Sequence, residues 1–134
     1  DSVAREITAS DGHIIATLDA RRDELYCAIY SYDYQCVQAA IPHVIISNSF
    51  NEWAEKGPVY FVGTGLEKCE EIVNNNTQFI FPKDPSYPSA KHMVKQAQAA
   101  FEQQVFEDVT YFDVDYLKAF QTSPQKKNAL GQST

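Results

Sequence analysis

The sequence predicts one α/β domain with a mixed β-sheet. Its 134 residues are the length of a single domain, and 44% of them are hydrophobic, enough to build one core. The first third alternates like β-strands, whereas later segments alternate between short apolar strands and helical periodicity. We expect a single globular unit over residues 1–121 and a flexible tail over residues 122–134, where few apolar residues are available for burial.

Charge and composition restrict the function. The chain has 18 acidic and 11 basic residues, a net charge of -7, which argues against broad binding to nucleic-acid phosphates. No apolar stretch approaches the ~20 residues that span a bilayer, so we expect a cytoplasmic protein that makes no membrane contact. Three cysteines without a CxxC pair predict reduced thiols rather than a disulfide framework or a zinc ribbon.

Three predicted strands form a meander at the start of the chain. Asp11-Gly12 is a turn signal, and "HIIATLD" (13–19) and "ELYCAIY" (24–30) follow it as two strands joined by a charged hairpin loop. A weaker third strand, "QCVQAAI" (35–41), is stopped by Pro42. Val3, Ala4 and Ile7 are typical of the last turns of an amphipathic helix, so we expect the chain to be part of a longer protein.

Helices and strands alternate after the meander. A short helix over "NSFNEWAEK", capped by Ser47 or Asn48, precedes the continuous apolar strand "VYFVG" (59–63). The turn Gly63-Thr64-Gly65 leads into the helix "LEKCEEIVNN" (66–75) and then the short strand "FIF" (79–81). The last helix, "AKHMVKQAQAAFEQQ", has Ser89 as its predicted N-cap and one apolar stripe: Ala90, Met93, Val94, Ala97 and Phe101.

The resulting order, β-β-β-α-β-α-β-α, is the layout of the ribonuclease H-like fold. Right-handed crossovers in this order place the later strands parallel to the first. The same layout is the repeating unit of the actin-like ATPases, in which two such domains clasp a nucleotide. One copy would form half of such a cleft.

Two features at the predicted strand ends are candidates for ligand chemistry. Asp19 ends the first strand, where a metal-binding carboxylate can lie, but the central strand ends without an acid, so a two-metal nuclease is not expected. Gly63-Thr64-Gly65 would let phosphate approach the backbone at a helix start. Because no Walker lysine follows and Glu67, Glu70 and Glu71 would repel an anion, a plain strand-to-helix turn is preferred.

The remaining reactive side chains suggest no active site. His13, His43 and His92 are far apart in sequence and form no HExxH motif, and Cys27 alternates with core residues of its strand. We therefore expect no catalytic residues, no metal and no cofactor. The hairpin residues Arg21, Arg22, Asp23 and Glu24, with Tyr26, are either a solvated loop or a surface that binds an acidic partner.

Within that hairpin, "LDARRDELYCAIY" resembles the D-A-R-x-x-E-x-Y motif of the bacterial TsaB (YeaZ) family. The matching positions are Asp19, Ala20, Arg21, Glu24 and Tyr26. "VYFVGTGLEKC" is similar to that family's strand and glycine turn, and "VTYFDVDYLKAFQTSPQKK" to its closing segment. The resemblance extends from about residue 14 to about residue 127, and the family's N-terminal A-I-D-T/S and G-P-G-S-F-T-G segments have no counterpart here.

This resemblance implies a C-terminal domain that supports a reaction without performing it. Members of the family assist TsaD and TsaE in making threonylcarbamoyladenosine in tRNA, and their nucleotide cleft is degenerate. TsaD and TsaE are therefore the expected partners, tRNA is expected to be contacted only indirectly, and a homodimer remains open. Two alternatives also stay open: a nucleotide-dependent kinase-like or glycoprotease-like enzyme, and a direct tRNA contact through Lys118, Lys126 and Lys127.

Overall fold

The computed structural model describes residues 2–73, 75–83, 87–114 and 116–117. Its strands are β1 (His13–Asp19), β2 (Glu24–Ser31), β3 (Cys36–Val44), β4 (Val59–Gly63) and β5 (Phe79–Ile80). Its α-helices are α1 (Asn51–Ala54), α2 (Leu66–Val73) and α3 (Val94–Glu102), and 3-10 turns span Ala4–Glu6 and Ala90–Met93. The predicted sequence of strands and helices is confirmed within these residues.

The strands form one mixed sheet in the order β3-β2-β1-β4-β5. β1 pairs antiparallel with β2 and β2 antiparallel with β3, as the predicted meander requires. β4 pairs parallel with β1, placing Thr17 opposite Gly63, and β5 pairs parallel with β4. Because β1 and β4 run in the same direction, the residues that follow both strands meet at one edge of the sheet.

Each face of the sheet carries its own apolar cluster. Leu25, Cys27 and Ile29 of β2 face the side that α2 covers, where Cys69 and Val73 are buried among them. The opposite face holds a second cluster, to which the N-terminal 3-10 turn contributes: Val3, Ala4, Ala9, Ile14, Ala16, Ala28, Tyr30 and Val62. The period-2 alternation predicted for β2 is therefore confirmed.

Two local predictions were wrong. α1 is preceded by Phe50 in the left-handed region at φ 68°, and neither Ser47 nor Asn48 caps it. The hydroxyl of the next residue, Ser49, instead accepts a hydrogen bond from the Ile46 N–H. β3 does not stop at Pro42 but continues to Val44, because the proline lies on an edge strand, where a missing N–H breaks few ladder hydrogen bonds.

The predicted last helix is present, but its apolar stripe is not buried. α3 begins at Val94 after the 3-10 turn, and Ser89 makes no side-chain cap. Met93, Val94 and Phe101 are exposed. We call these three residues, together with the exposed apolar residues that follow, the C-terminal apolar surface; the following residues are Val105, Phe106, Val109, Tyr111, Phe112, Val114, Tyr116 and Leu117.

Candidate functional site

Asp19 and Lys68 form an ion pair where β1 and β4 end. The Lys68 ammonium lies 2.5 Å from Asp19 Oδ1 and also donates to the backbone carbonyl of Glu24 at 3.2 Å. Asp19 Oδ1 accepts a second hydrogen bond, from the Arg21 backbone N–H at 2.9 Å. The Asp19 backbone N–H donates to Thr64 Oγ1 at 3.2 Å. These contacts connect the hairpin loop to the glycine turn and to the first turn of α2.

The electrostatics of this edge are set by the ion pair. The Lys68 hydrogen bond, followed by the Arg21 N–H, lowers the pKa of Asp19, so this carboxylate is ionised at neutral pH. The two side chains are 20% (Lys68) and 51% (Asp19) exposed, so water screens the attraction between them. The ammonium group of Lys68, a cation that could hold a phosphate, is thus already paired with a carboxylate.

Both glycines of the Gly63-Thr64-Gly65 turn, for which a plain strand-to-helix turn was preferred, make close contacts within the protein. Gly63 has φ +103°, and a Cβ at this position would lie 2.0 Å from the backbone oxygen of Thr17. A Cβ on Gly65 would lie 2.6 Å from Leu25 Cδ2. The requirement for glycine is therefore explained by the approach of this turn to β1 and β2, without any ligand.

The hairpin residues of the sequence motif do not converge on one point. Arg21 and Arg22 both have positive φ, 68° and 50°, and both are exposed. Arg21 contributes its backbone N–H to Asp19, whereas Glu24 contributes its backbone carbonyl to Lys68. Tyr26 lies in β2 between Leu18 and Pro42 of the neighbouring strands and is half-buried. The motif mainly builds the hairpin and its link to Lys68.

Two residues of this edge could not be singled out from sequence motifs. Lys68 is the only cation among the acids at the start of α2, and the parallel arrangement of β1 and β4 places it beside Asp19. Thr17 is fully buried, and its hydroxyl donates to the backbone oxygen of Val62 at 2.8 Å. The signal that could have found Lys68 is the rule that carboxyl ends of adjacent parallel strands share an edge.

The fold also brings together a serine and a histidine that sequence spacing did not suggest. His43 Nε2 lies 3.0 Å from Ser49 Oγ, and burial lowers the pKa of His43, so its ring is neutral and can accept the Ser49 proton. Ser49 is only 6% exposed, and its oxygen already accepts the Ile46 N–H. No carboxylate of the described residues bonds the other ring nitrogen. The pair stabilises the turn before α1 rather than presenting a nucleophile.

The other histidines make structural contacts. The His13 ring packs edge-on against Trp53 with centroids 4.9 Å apart, and burial together with the Lys56 charge lowers the pKa of His13. His92 Nδ1 lies 2.7 Å from a Glu6 carboxylate oxygen. In the ranges that the structure describes, no three His, Cys, Asp or Glu side chains are close enough to hold a metal ion.

The thiols of β2 and α2 are core groups. Burial raises the pKa of Cys27 to about 11 and that of Cys69 to about 12, as expected for small apolar residues of a core. Cys36 is exposed on β3. No helix in the described ranges combines the length and the apolar character needed to cross a membrane. Lys118, Lys126, Lys127 and the predicted tail over 122–134 lie outside those ranges.

Comparisons with known proteins point to one relationship of fold. No family model and no curated protein matches the sequence. Among solved structures, the chain is similar to an uncharacterized protein with similarity to peptidase YeaZ from Pseudomonas aeruginosa, with 19% identity and a TM-score of 0.57. The match covers 81% of this chain and 50% of the other, so this chain spans about half the length of that protein. At this identity the likeness shows a shared fold.

Proposed function

We propose that this chain is a non-catalytic partner domain of the TsaB (YeaZ) type with a ribonuclease H-like fold. In this role it supports N6-threonylcarbamoyladenosine modification of tRNA by forming a complex with TsaD and TsaE in the cytoplasm, and it meets tRNA only through those partners. The observation that carries the proposal is the Asp19–Lys68 ion pair, because it occupies the edge where a nucleotide-binding relative would contact phosphate. The D-A-R-x-x-E-x-Y motif and the YeaZ-like structural neighbour support the family.

Three of the hydrogen-bond donors of this edge are used within the protein. A phosphate group needs backbone N–H groups and a cation. Here the Asp19 N–H is bonded to Thr64, the Arg21 N–H to Asp19, and the Lys68 ammonium to Asp19 and Glu24. A nucleotide would have to break these bonds and approach the Asp19 carboxylate. The arrangement therefore favours a domain whose nucleotide site has been lost.

The C-terminal apolar surface supports a role in binding another protein. Phe101 is 70% exposed and Phe106 65%, and their rings pack edge to face with centroids 5.9 Å apart. Exposed apolar side chains that pack on one another in this way are typical of interaction sites. Desolvating such aromatic rings is a common source of binding energy in protein complexes. Within the proposal, this surface contributes to docking, either on a partner or on a second copy of the chain.

Reconstituted threonylcarbamoyl transfer tests the proposal. TsaD and TsaE would be supplied with the longer protein that contains this chain, either intact or carrying Phe101→Ser and Phe106→Ser. We expect the double variant to remain folded, to lose co-elution with TsaD and TsaE, and to lower modification. The matched control is Lys83→Ser/Thr77→Ser, two exposed changes outside that surface. Undiminished modification when residues 1–121 are deleted would refute the supporting role.

The alternative is an enzyme. A kinase-like interpretation rests on Asp19 with Gly63-Thr64-Gly65, and a peptidase interpretation on the similarity to a peptidase stated for the structural neighbour, with Ser49 beside His43 as the serine to be tested. Calorimetry with ATP distinguishes the first: tight binding that Asp19→Asn abolishes would favour the kinase and contradict the partner domain. Peptidase activity lost in Ser49→Ala, but retained in Ser47→Ala, would favour the second.

A further inference from the structure

A depression of about 150 Å³ lies between the N-terminal 3-10 turn, the turn from β2 to β3 and the segment that leads into α3. Its lining is unusual for a chain of net charge -7 because it is basic. The lining residues are Arg5, Tyr34, Lys91, His92 and Lys95. None of them takes part in the Asp19–Lys68 contacts. We call this depression the basic pocket.

Contacts within the protein hold the walls of the basic pocket in place. The Glu6–His92 pair, with side chains 17% and 18% exposed, fixes the segment before α3 against the N-terminal 3-10 turn. Tyr34 donates its hydroxyl proton to the backbone oxygen of Ile7 at 2.8 Å. The Arg5 guanidinium lies 4.7 Å from the centroid of the Tyr34 ring, a cation–π contact. The pocket is therefore formed before any ligand binds.

The two lysines supply positive charge that the described part of the chain does not neutralise. Lys91 and Lys95 are both exposed, and neither forms an ion pair with a carboxylate of the described residues. Lys91 lies in the 3-10 turn before α3 and Lys95 in the first turn of α3; because both line the basic pocket, their like charges repel each other. An anion between them would remove this repulsion and gain two charge-assisted hydrogen bonds.

The volume selects a small anion. At about 150 Å³ the basic pocket is smaller than the roughly 300–1,000 Å³ of pockets that enclose a whole small-molecule ligand, so it can hold a phosphoryl group while an attached nucleoside would remain outside. We propose that the basic pocket binds a phosphoryl group, carried either by inorganic phosphate or by a nucleoside monophosphate. This site goes beyond the proposed function and does not depend on it.

Titration followed by two-dimensional ¹H–¹⁵N NMR tests the site directly. The folded chain at pH 7.5, where the phosphoryl group is largely a dianion, would be titrated with inorganic phosphate and separately with adenosine monophosphate. We expect saturable shifts confined to the amides around Arg5, Tyr34 and residues 91–95. Equal affinity for the two ligands identifies the phosphoryl group alone as the ligand, and tighter binding of adenosine monophosphate identifies a nucleotide source.

Charge-matched variants distinguish specific binding in the basic pocket from non-specific electrostatic attraction of the anion. Lys91→Gln/Lys95→Gln should weaken binding by about tenfold or more, as expected when charge-assisted hydrogen bonds are lost. Lys56→Gln/Lys83→Gln removes the same charge outside the basic pocket and should bind like the natural chain. Shifts that do not saturate, or that persist in the folded Lys91→Gln/Lys95→Gln variant, would overturn the proposal. Circular dichroism confirms that each variant is folded.

Discussion

Asp19 Oδ1 receives two donors from different parts of the fold, the Lys68 ammonium at 2.5 Å and the Arg21 backbone N–H at 2.9 Å. One carboxylate thus joins the hairpin loop to the first turn of α2. Because both donors favour the ionised form of the Asp19 carboxylate, the stability of the protein should depend on pH in a measurable way.

Acid stability should depend on Asp19. Its pKa is lowered below 3.8 in the folded protein, so the unfolded chain binds the proton more readily. The stabilisation is fully present at pH values above the pKa of Asp19 in the unfolded chain, and it is lost as the pH falls through the pKa of Asp19 in the folded protein. In urea denaturation between pH 6 and pH 2, the free energy of unfolding of Asp19→Asn should therefore fall less steeply with decreasing pH than that of the natural chain. The control is Asp23→Asn, which removes a hairpin carboxylate that forms no ion pair with the described residues; it should retain the slope.

Gly63 and Gly65 should differ in their tolerance of alanine. At Gly63 the new Cβ meets backbone and the residue is held at positive φ, whereas at Gly65 the nearest atom ends the Leu25 side chain. We expect Gly65→Ala to lower the free energy of unfolding by about 1–3 kcal/mol through overpacking. Gly63→Ala should lower it further, because backbone strain adds about 1–3 kcal/mol. Equal and negligible losses in urea titrations would contradict the role of this turn in packing.

Thiol reactivity should separate the cysteines into two classes. Burial raises the pKa of Cys27 to about 11 and that of Cys69 to about 12, so little thiolate is present at neutral pH, while Cys36 is exposed. A colorimetric disulfide reagent should modify one thiol rapidly in the native protein and the other two only after urea is added. Cys36→Ser should remove the rapid phase. A rapid phase that survives this substitution in a folded protein would show that the core opens readily.

Phenylalanines of α3 and of β4 should make very different contributions to stability. Phe101 is 70% exposed, whereas Phe61 is fully buried and contacts the rings of Phe50, Phe79 and Phe81. Phe61→Ala should cost about 3–5 kcal/mol of unfolding free energy. Phe101→Ala should stay within about 0.5 kcal/mol of the natural chain. A large loss at Phe101 in the isolated chain would mean that the C-terminal apolar surface is covered in solution.

The sequence pattern was sufficient for the strands because their signal is local. Alternation in "ELYCAIY" identified Leu25, Cys27 and Ile29 as core residues, and all three are buried. For α3 the same reasoning identified the helix but not its surroundings. Periodicity reveals which residues share a face, and burial depends on whether another element covers that face.

In the candidate site, too, local features could be predicted from the sequence, whereas contacts between distant residues could not. Asp19, Gly63 and Gly65 could be placed at strand ends from the sequence, since turn signals follow each strand. The contact between Asp19 and Lys68 spans 49 positions in the chain and depends on the parallel pairing of β1 and β4. Lys91 and Lys95 belong to no sequence motif, and the fold places them in the basic pocket beside Arg5 of the N-terminal 3-10 turn.

The two outer strands of the sheet limit how this protein can associate. β3 carries Pro42, which has no N–H to offer, and its pairing with β2 is interrupted by register shifts. β5 has only two residues, Phe79–Ile80. Within the described residues, β5 offers only a short edge, and Pro42 interrupts the row of backbone donors along the longer edge of β3. Both features disfavour regular strand addition, and they favour recognition of a second protein through side-chain surfaces.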